Sequence, residues 1–257
     1  MKVFIINLER SLDRKEHIQK QIQKLFEKNL SLKNKLEFIF FKAIDAKNKE
    51  HLEFKDHFPW WGSWVLGREL SDGEKACFAS HYKLWQECVK LDEPIIILED
   101  DVEFSDEFLN NGAEYIDELL KSKYEYIRLC YLTQGKMLKL NDNFLFTLDS
   151  IGGTQGYLIK PISALKFIDN LKFIDNLKFW IKPVDNVMDM YYYSKVFTIT
   201  YTPLLLKTTD INSTIEERKK DKRPIFKRII KEICRLYFIY LKFTYKQKAI
   251  KFLRREV

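Results

Sequence analysis

Cysteine is scarce in this 257-residue sequence, and the spacing of its four cysteines excludes two common kinds of protein. Cys77, Cys88, Cys130 and Cys234 form no C-x-x-C pair, so they provide neither a disulfide framework nor a zinc ribbon. His81 has no His or Cys partner at metal-ligand spacing, which argues against a zinc site. We expect reduced thiols in a cytosolic compartment, most of them buried in the core.

Long apolar runs are also absent. No window approaches 18 uninterrupted apolar residues, and the longest late run, "LYFIYL" at 236–241, has six. A membrane-spanning helix needs about 20 mostly apolar residues, so none is expected. The opening "MKVFIINLERS" is too short for the apolar region of a secretory signal and has no cleavage site, so we expect no signal peptide.

Charge is unevenly distributed along the chain. The net charge is +7, but residues 218–257 contain fifteen Lys and Arg against three acidic residues. The first 217 residues therefore carry a net charge of −5. This division predicts a mildly acidic domain over residues 1–215 and a basic tail over residues 216–257 with a separate role.

Strand and helix patterns alternate along the first domain, which indicates an α/β fold with a mostly parallel sheet flanked by helices. The predicted strands are 2–8, 36–45, 94–99 and 124–132, and the predicted helices are 11–29, 70–90 and 106–121. Ligands of such sheets bind beyond the carboxyl ends of the strands. Asn7, Asp45 and the segment 99–101 all lie at predicted strand ends, so we expect them to share one crevice.

Three adjacent acidic residues, Glu99, Asp100 and Asp101, follow the buried run of "PIIILEDDVEF". Neighbouring carboxylates repel one another and are costly to desolvate unless a cation or hydrogen-bond donors face them. Oxygen ligands at a strand end suit a hard divalent cation such as magnesium or manganese. The alternative is a solvated acidic turn that caps the helix beginning near Ser105.

Four blocks of sequence occur in an order that resembles glycosyltransferase family 25, the bacterial lipooligosaccharide galactosyltransferases and their relatives. They are "FIINLERSLDRK" (4–15), "LSDGEKACFASHYKLWQ" (70–86), "PIIILEDDV" (94–102) and "GGTQGYLIKPISA" (152–164). The resemblance covers roughly residues 1–210. It implies a GT-A-like, Rossmann-type fold and an inverting, metal-dependent transfer from a UDP-sugar to a lipooligosaccharide or other glycan. UDP-galactose is the first candidate donor, and UDP-N-acetylglucosamine and UDP-glucose are the alternatives.

The same resemblance assigns roles to the acidic triplet. "EDD" is similar to a D-x-D metal motif with Glu99 in place of the first Asp, so Asp101 is expected to bind the cation on the diphosphate. Glu99 is expected near the ribose or the metal, and the role of Asp100 stays open. Manganese is expected in preference to magnesium.

Further nucleotide-sugar contacts are expected at the start of the domain. Asn7, Arg10 and Arg14 lie at or just past a strand end, where a helix N-terminus favours anions such as a diphosphate. The alternative is a capped surface helix with charge pairs. Asp45 is a candidate for a uracil or ribose contact, or a plain turn residue.

Two other blocks are expected to line the substrate pocket. Glu74, Ser80 and His81 are polar positions in an apolar-periodic helix, and a satisfied structural role is the alternative for each. The segment 152–156 holds three of the eight glycines of the chain. There Gly153 permits a close backbone approach, and Thr154 and Gln155 supply hydrogen bonds, unless the segment is an ordinary turn.

An inverting transfer needs a carboxylate base for the acceptor hydroxyl. The segment "KPVDNVMDMYYYS" (182–194) offers Asp185 as the first candidate and Asp189 as the second, and helix capping is the alternative for Asp185. The aromatic loop "FPWWGSW" (58–64) is a candidate platform for the acceptor sugar, or part of the core. The tandem "LKFIDN" at 165–176 is interpreted as a duplication that lengthens a helix.

Residues 224–257 predict a basic amphipathic helix, because apolar residues recur every three or four positions with Lys and Arg between them. Such a helix suits an anionic membrane surface. We therefore expect a peripheral protein on the inner, cytoplasmic face of a bacterial membrane. The alternatives are a helix packed on the first domain, a non-catalytic membrane scaffold, or a nucleic-acid-binding tail. No recognised module accompanies the charge, so no nucleic-acid partner is expected.

Overall fold

The computed structural model of the chain describes residues 1–170, 172–174, 177–209 and 224–255. It confirms the α/β class, with an eight-stranded sheet in the order β2-β1-β3-β8-β5-β11-β7-β6. The strands are β1 Lys2–Asn7, β2 Glu37–Lys42, β3 Ile95–Glu99, β4 Val102–Phe104, β5 Tyr126–Arg128, β6 Met137–Lys139, β7 Phe144–Thr147, β8 Gly156–Ile159, β9 Lys172–Ile174, β10 Leu177–Lys178, β11 Ile199–Tyr201 and β12 Leu206–Thr208. The helices are α1 Leu12–Lys28, α2 Gly62–Leu66, α3 Asp72–Leu91, α4 Asp106–Lys121, α5 Pro161–Asn170, α6 Val184–Asp189, α7 Tyr191–Ser194 and α8 Ile225–Arg255.

The sheet is mixed, but most of its strands share one direction. β1 pairs in parallel with β2 and β3, and β5 pairs in parallel with β11. β8 runs antiparallel to β3 and β5, and β7 runs antiparallel to β11 and β6. Six of the eight strands therefore point the same way, with β7 and β8 reversed. The carboxyl ends of β1, β2, β3 and β5 consequently share one edge of the sheet with the beginning of β8.

Helices cover both faces of this sheet, and the central strands are buried accordingly. In β3, Ile96 and Leu98 join the apolar cluster that contains residues of α1 and α4, whereas Ile95 and Ile97 join the cluster of α3 and α5. A strand that is covered on both faces has a continuous apolar sequence, because its side chains are buried on either side. This explains why "IIIL" directly precedes the acidic triplet, which marks the end of the buried part of the strand.

Helix α3 carries most of the predicted pocket residues that are not at strand ends. Ser71 caps it by accepting a hydrogen bond from the Glu74 backbone, and the Glu74 side chain accepts from the Ser71 backbone. This capping box fixes where the helix begins. Phe78, Leu84 and Trp85 of this helix are fully buried and pack against one face of the sheet.

The interpretation of the repeat is wrong. Helix α5 ends at Asn170, the last residue of the first copy of "LKFIDN". The second copy contributes β9, which pairs with β10 in a separate two-stranded sheet. The duplication therefore does not lengthen the helix, because the described residues of the second copy lie in a strand.

The basic segment forms the long helix α8, as the periodicity predicts, and the segment 211–223 before it lies outside the described residues. One face of α8 packs on the domain through Phe238, Ala249 and Leu253, which are buried. Lys242 also forms an ion pair of 2.5 Å with Asp149. Over the described ranges, no helix is long and apolar enough to cross a membrane.

Candidate functional site

The predicted strand-end residues do converge at one edge of the sheet. Asn7 ends β1, Glu99 ends β3, and Asp45 follows β2 by three residues. Between them lies a cleft of about 100 Å³. It is lined by Ile6, Leu8, Arg10, Arg14, Ala43, Ile44, Ala46, Gly73, Ala76, Cys77, Ser80, His81, Glu99 and Asp100. The strand ends and α3 together therefore form the walls that the sequence predicts.

Asp100 is held by two partners from the first block of sequence. The Asn7 amide donates to Asp100 Oδ2 at 2.6 Å, and Arg14 Nη1 donates to Oδ1 at 2.9 Å. Burial raises the pKa of this carboxyl, and the two hydrogen bonds and the Arg14 charge offset part of that rise. Asp100 thereby ties β1 and α1 to β3, and Asn7 and Arg14 owe their orientation to it.

Asp101 has weaker contacts than Asp100. Its nearest cation is Arg14, whose Nη1 lies 3.7 Å from Oδ2. Oδ1 is buried and has no hydrogen-bond partner among the described residues. Burial, with the charge of Glu99, raises the pKa of Asp101 to about 7. A buried carboxylate oxygen without a donor is costly, and it is a position that a cation can occupy.

Glu99 points toward α3 and toward the segment 152–156, called the glycine loop below. The Thr154 hydroxyl donates to its Oε1, and His81 Nε2 lies 3.5 Å from the same oxygen. The backbone N–H of Glu99 donates to the Gln155 carbonyl at 2.9 Å. Thr154 and Gln155 therefore adjoin the cleft through Glu99, and they fix its position.

The expectation that His81 lacks a partner at metal-ligand spacing is wrong. Cys77 lies four residues earlier on α3 and therefore on the same face of the helix. The ligand atoms of Cys77, His81 and Glu99 all lie within 4.8 Å of one another. Burial, followed by the charges of Glu99 and Asp185, raises the pKa of the Cys77 thiol well above its ordinary value.

Arg10 and Asp45 form an ion pair at the rim of the cleft. Arg10 Nε donates to Asp45 Oδ2 at 2.7 Å, and Asp45 Oδ1 accepts from the Lys47 backbone at 2.8 Å. The Arg10 hydrogen bond, against an opposing effect of burial, holds the pKa of Asp45 below its usual range. Asp45 therefore makes its turn and also orients Arg10 along the cleft.

Glu74 and Ser80, which were predicted to line the pocket, also have structural roles. The Glu74 oxygens, besides closing the capping box, accept two hydrogen bonds of 2.5 Å from Arg68. Ser80 accepts from the Ile44 backbone at 2.9 Å and donates to the Ala76 carbonyl at 2.9 Å. Ser80 thus joins α3 to the segment after β2, whereas Glu74 organises the start of α3.

The glycine loop is held by Arg128, which was not among the predicted site residues. Gly152 and Gly153 have φ angles of +64° and +72°, in the region that favours glycine. Arg128 Nη2 donates to both of their carbonyls, at 2.6 Å each. A lone Arg in the apolar strand "YEYIRLCYL" was the available signal, since a fully buried Arg needs several acceptors.

The two candidate bases have opposite surroundings. Asp189 is buried, and its oxygens accept from Arg128, Ser150 and the backbone of the glycine loop. Asp185 is only partly buried and accepts from the Asn186 backbone at 2.7 Å. This arrangement favours a structural role for Asp189 and leaves Asp185 as the more exposed of the two carboxylates.

The three tryptophans of the aromatic loop differ in exposure. Trp60 is 74% exposed, and Trp64 lies edge-on both to Trp60 and to Phe226 of α8, with ring centroids 5.0 and 6.1 Å apart. Trp61 contacts Phe179 edge-on at 5.2 Å. The loop therefore bridges the domain and α8, and only Trp60 offers a largely free face.

Comparison with known proteins identifies the family of this chain. The model of glycosyltransferase family 25 (LPS biosynthesis protein) matches residues 1–188. A procollagen lysyl hydroxylase and glycosyltransferase of Acanthamoeba polyphaga mimivirus is 35% identical over 123 residues, which cover 44% of this chain and 13% of that protein. Lipooligosaccharide biosynthesis protein lic2B of Haemophilus influenzae is 36% identical over 110 residues, covering 41% of this chain and 36% of that protein.

A third relative, procollagen galactosyltransferase 2 of Homo sapiens, is 31% identical over 107 residues, which cover 41% of this chain and 16% of that protein. The matches thus span less than two fifths of the length of each of these relatives. Among solved structures, UDP-glucose pyrophosphorylase complexed with UDP-glucose is 12% identical with a TM-score of 0.39, over 93% of this chain and 98% of that one, too low a score to bear on the assignment.

The family match is broad, since residues 1–188 include every segment that lines the cleft. They contain the strand ends of β1 and β3, helix α3, the glycine loop and Asp185. The chain belongs to glycosyltransferase family 25.

Proposed function

We propose that this chain transfers a hexose from a UDP-sugar to a lipooligosaccharide or other glycan, with inversion at the transferred carbon. Membership of glycosyltransferase family 25 supports sugar transfer. UDP-galactose is the first candidate donor, because the human relative is named procollagen galactosyltransferase 2. The name of the Haemophilus relative supports a lipooligosaccharide acceptor. UDP-N-acetylglucosamine and UDP-glucose remain the alternative donors.

The observation that carries the proposal is the Oδ1 of Asp101, which lies beside the Asp100 wall of the cleft and is buried without a hydrogen-bond partner in the described part of the chain. Its neighbours supply further carboxylate oxygens, and a purely oxygen donor set suits a hard divalent cation, manganese before magnesium. Asp101, with Glu99 beside it, would hold this cation. Such a cation, when bound, neutralises the charge that develops on the diphosphate leaving group.

The basic residues of the first block bind and orient the donor. Arg10 lines the rim and Arg14 the floor of the cleft, next to the beginning of α1, where the helix dipole also favours an anion. Asp45 holds Arg10, and Asp100 holds Arg14. The two Arg–Asp pairs keep both guanidinium groups in place before the diphosphate arrives, which lowers the entropy lost on binding.

Asp185 takes the proton from the acceptor hydroxyl in this scheme. It is partly buried, close enough to the cleft to affect the Cys77 thiol, and not paired with a cation among the described residues. A carboxylate base contributes about 10²–10⁴-fold to the rate of such a step. The exposed face of Trp60 is a second acceptor contact, of the stacking kind that sugar rings make with indoles.

Calorimetric titration of UDP, with and without manganese, tests the proposal on the wild type and on Asp101→Ala. We expect UDP binding that requires manganese and that is lost in Asp101→Ala. Asn111→Ala, an exposed substitution on α4, is the matched control and should bind like the wild type. Equal binding of UDP by all three proteins, or by none, would refute the metal clamp.

We further propose that α8 binds an anionic membrane surface through the face opposite the domain. Ile229, Ile233, Leu236 and Tyr240 form a stripe there, each more than half exposed. The described helix also carries Lys and Arg in large excess over its single acidic residue, Glu232. An apolar stripe combined with cationic flanks is what an interfacial helix presents to anionic lipid.

Deleting α8 is a poor test, because Phe238, Ala249 and Leu253 help to cover the core. The sharper variant is Ile233→Gln/Leu236→Gln, which changes only exposed positions of the stripe. We expect vesicles with anionic lipid to retain the wild type and release this variant, while neutral vesicles retain neither strongly. Unchanged retention of the variant would exclude the stripe as the membrane contact.

A further inference from the structure

Three side chains of different chemistry meet on the inner wall of the cleft, and one of them, Glu99, also belongs to the proposed clamp. Cys77 and His81 lie one helical turn apart on α3, and Glu99 reaches them from the end of β3. One ligand atom from each lies within 4.8 Å of the others. His81 Nε2 is 3.5 Å from Glu99 Oε1. Modest side-chain adjustment brings three such atoms to the distances that a tetrahedral ion requires.

The His81 ring is held in a way that suits a metal ligand. His81 is fully buried, and within the described part of the chain its Nε2 has only a long contact of 3.5 Å with Glu99 Oε1. Its other nitrogen, Nδ1, lies 2.9 Å from the Tyr157 hydroxyl, which also accepts from Trp85 Nε1 at 3.0 Å. In the tautomer whose Nδ1–H donates to Tyr157, the lone pair of Nε2 lies on the side of Glu99, where a cation can accept it.

We propose that Cys77, His81 and Glu99 form a three-ligand site for a borderline-soft divalent cation, with zinc as the best match. Thiolate and imidazole select zinc over magnesium or manganese, and three protein ligands leave one position open toward the cleft. The two negative charges of Cys77 and Glu99 balance the charge of the ion, so that burying the complex costs little. The buried Nε2 of His81 then binds the ion in place of its long contact with Glu99.

This site shares Glu99 with the proposed manganese clamp, and one consequence follows. An ion held by Cys77 and His81 withdraws Glu99 from Asp101, so zinc should oppose manganese-supported binding of UDP. That antagonism rests on the proposed function. The binding of the soft cation does not, because it requires only the three side chains.

Cobalt titration of the full chain tests the site without any activity measurement. Cobalt(II) replaces zinc in tetrahedral sites, and its bond to a thiolate gives a near-ultraviolet charge-transfer band. We expect this band in the wild type, its displacement by zinc, and its loss in Cys77→Ser. His81→Gln should weaken zinc binding at least about tenfold. Cys234→Ser is the matched control, since Cys234 lies on α8, and it should retain the band.

The outcomes separate the two proposals. A wild type without the band, or a band that persists in a folded Cys77→Ser, overturns the zinc site whatever UDP does. A cobalt band together with indifference to UDP keeps the zinc site and removes the nucleotide-sugar proposal. If both proposals hold, zinc lowers the affinity of the manganese-loaded wild type for UDP. It does so far less in Cys77→Ser, and equal inhibition of the two proteins overturns the sharing of Glu99.

Discussion

Asp101 and Asp189 are two carboxylates near the same edge of the sheet, and each faces an arginine. Burial raises the pKa of both, to about 7 for Asp101. Asp189 accepts four hydrogen bonds, from Arg128, from the Ser150 hydroxyl and from two backbone N–H groups. For Asp101 the nearest cation is at 3.7 Å, and one oxygen has no donor among the residues that the structure describes.

In the proposed scheme, the difference separates a carboxylate that holds the fold from one that binds the cation. A saturated buried carboxylate has its desolvation cost offset by donors that the protein supplies. An unsaturated one keeps that cost until something else provides the positive charge. Burial alone therefore does not identify a functional acid in this molecule; the inventory of donors around each oxygen does.

Asp101→Asn should have the largest effect on activity. We expect sugar transfer to fall at least about a thousandfold, because the neutral amide cannot hold the cation that balances the leaving group. The thermal unfolding midpoint should stay the same or rise, since a poorly compensated buried charge is removed. Transfer assays with UDP-galactose and thermal scans measure both effects. Near-normal transfer by the variant would contradict the cation-binding role proposed for Asp101.

Asp189→Asn tests the other side of the comparison, through stability. Removing the charge leaves Arg128 buried without its anion, which costs about 3–5 kcal/mol when a buried pair is broken. Urea unfolding should show this loss, and the double variant Arg128→Met/Asp189→Asn should lose less than the sum of the single changes. A stable Asp189→Asn that has also lost all transfer would instead make Asp189 the base.

Asp185→Asn should affect rate more than binding. If Asp185 is the base, kcat falls by about a hundredfold or more while the affinity for UDP stays within about twofold. A mere helix cap would show the reverse pattern, with an unchanged rate and a slightly lower unfolding midpoint. Steady-state kinetics combined with UDP calorimetry separate these results. Asn186→Ala, which removes a neighbouring side chain that bonds to Asp185, is the matched control.

Local sequence predicted the strand ends well, and tertiary contacts account for most of what it missed. The apolar runs that end at Asn7 and Glu99 are delimited by polar residues, so their convergence followed from the parallel arrangement alone. The reversed strands β7 and β8 have four residues each, too few for any pattern to give their direction. The donors that saturate Asp189 come from residues 37 to 61 positions away in the chain, beyond the reach of any local pattern.

Lys182 is a buried cation that can be compared with the two buried carboxylates. Its substitution is expected to have the smallest effect of the changes considered. Burial lowers the pKa of Lys182 to about 8. Its Nζ lies 4.0 Å from the centroid of the Phe238 ring and 3.6 Å from Met190 Sδ. The folded protein therefore binds this proton less tightly than the unfolded chain does. The contribution of Lys182 to stability consequently rises as the pH increases from about 8 toward the ordinary pKa of about 10.4.

Lys182→Met removes this titration and should raise the unfolding midpoint at pH 7 by a few degrees, at about 2–4 °C per kcal/mol. Near pH 10 the advantage over the wild type should shrink, because the wild-type lysine is then largely neutral when folded. Thermal scans of both proteins at the two pH values give this difference directly. An advantage that stays constant or grows with pH would mean that Phe238 and Met190 compensate the buried ammonium fully. Lys182 would then resemble the saturated Asp189 rather than the open Asp101.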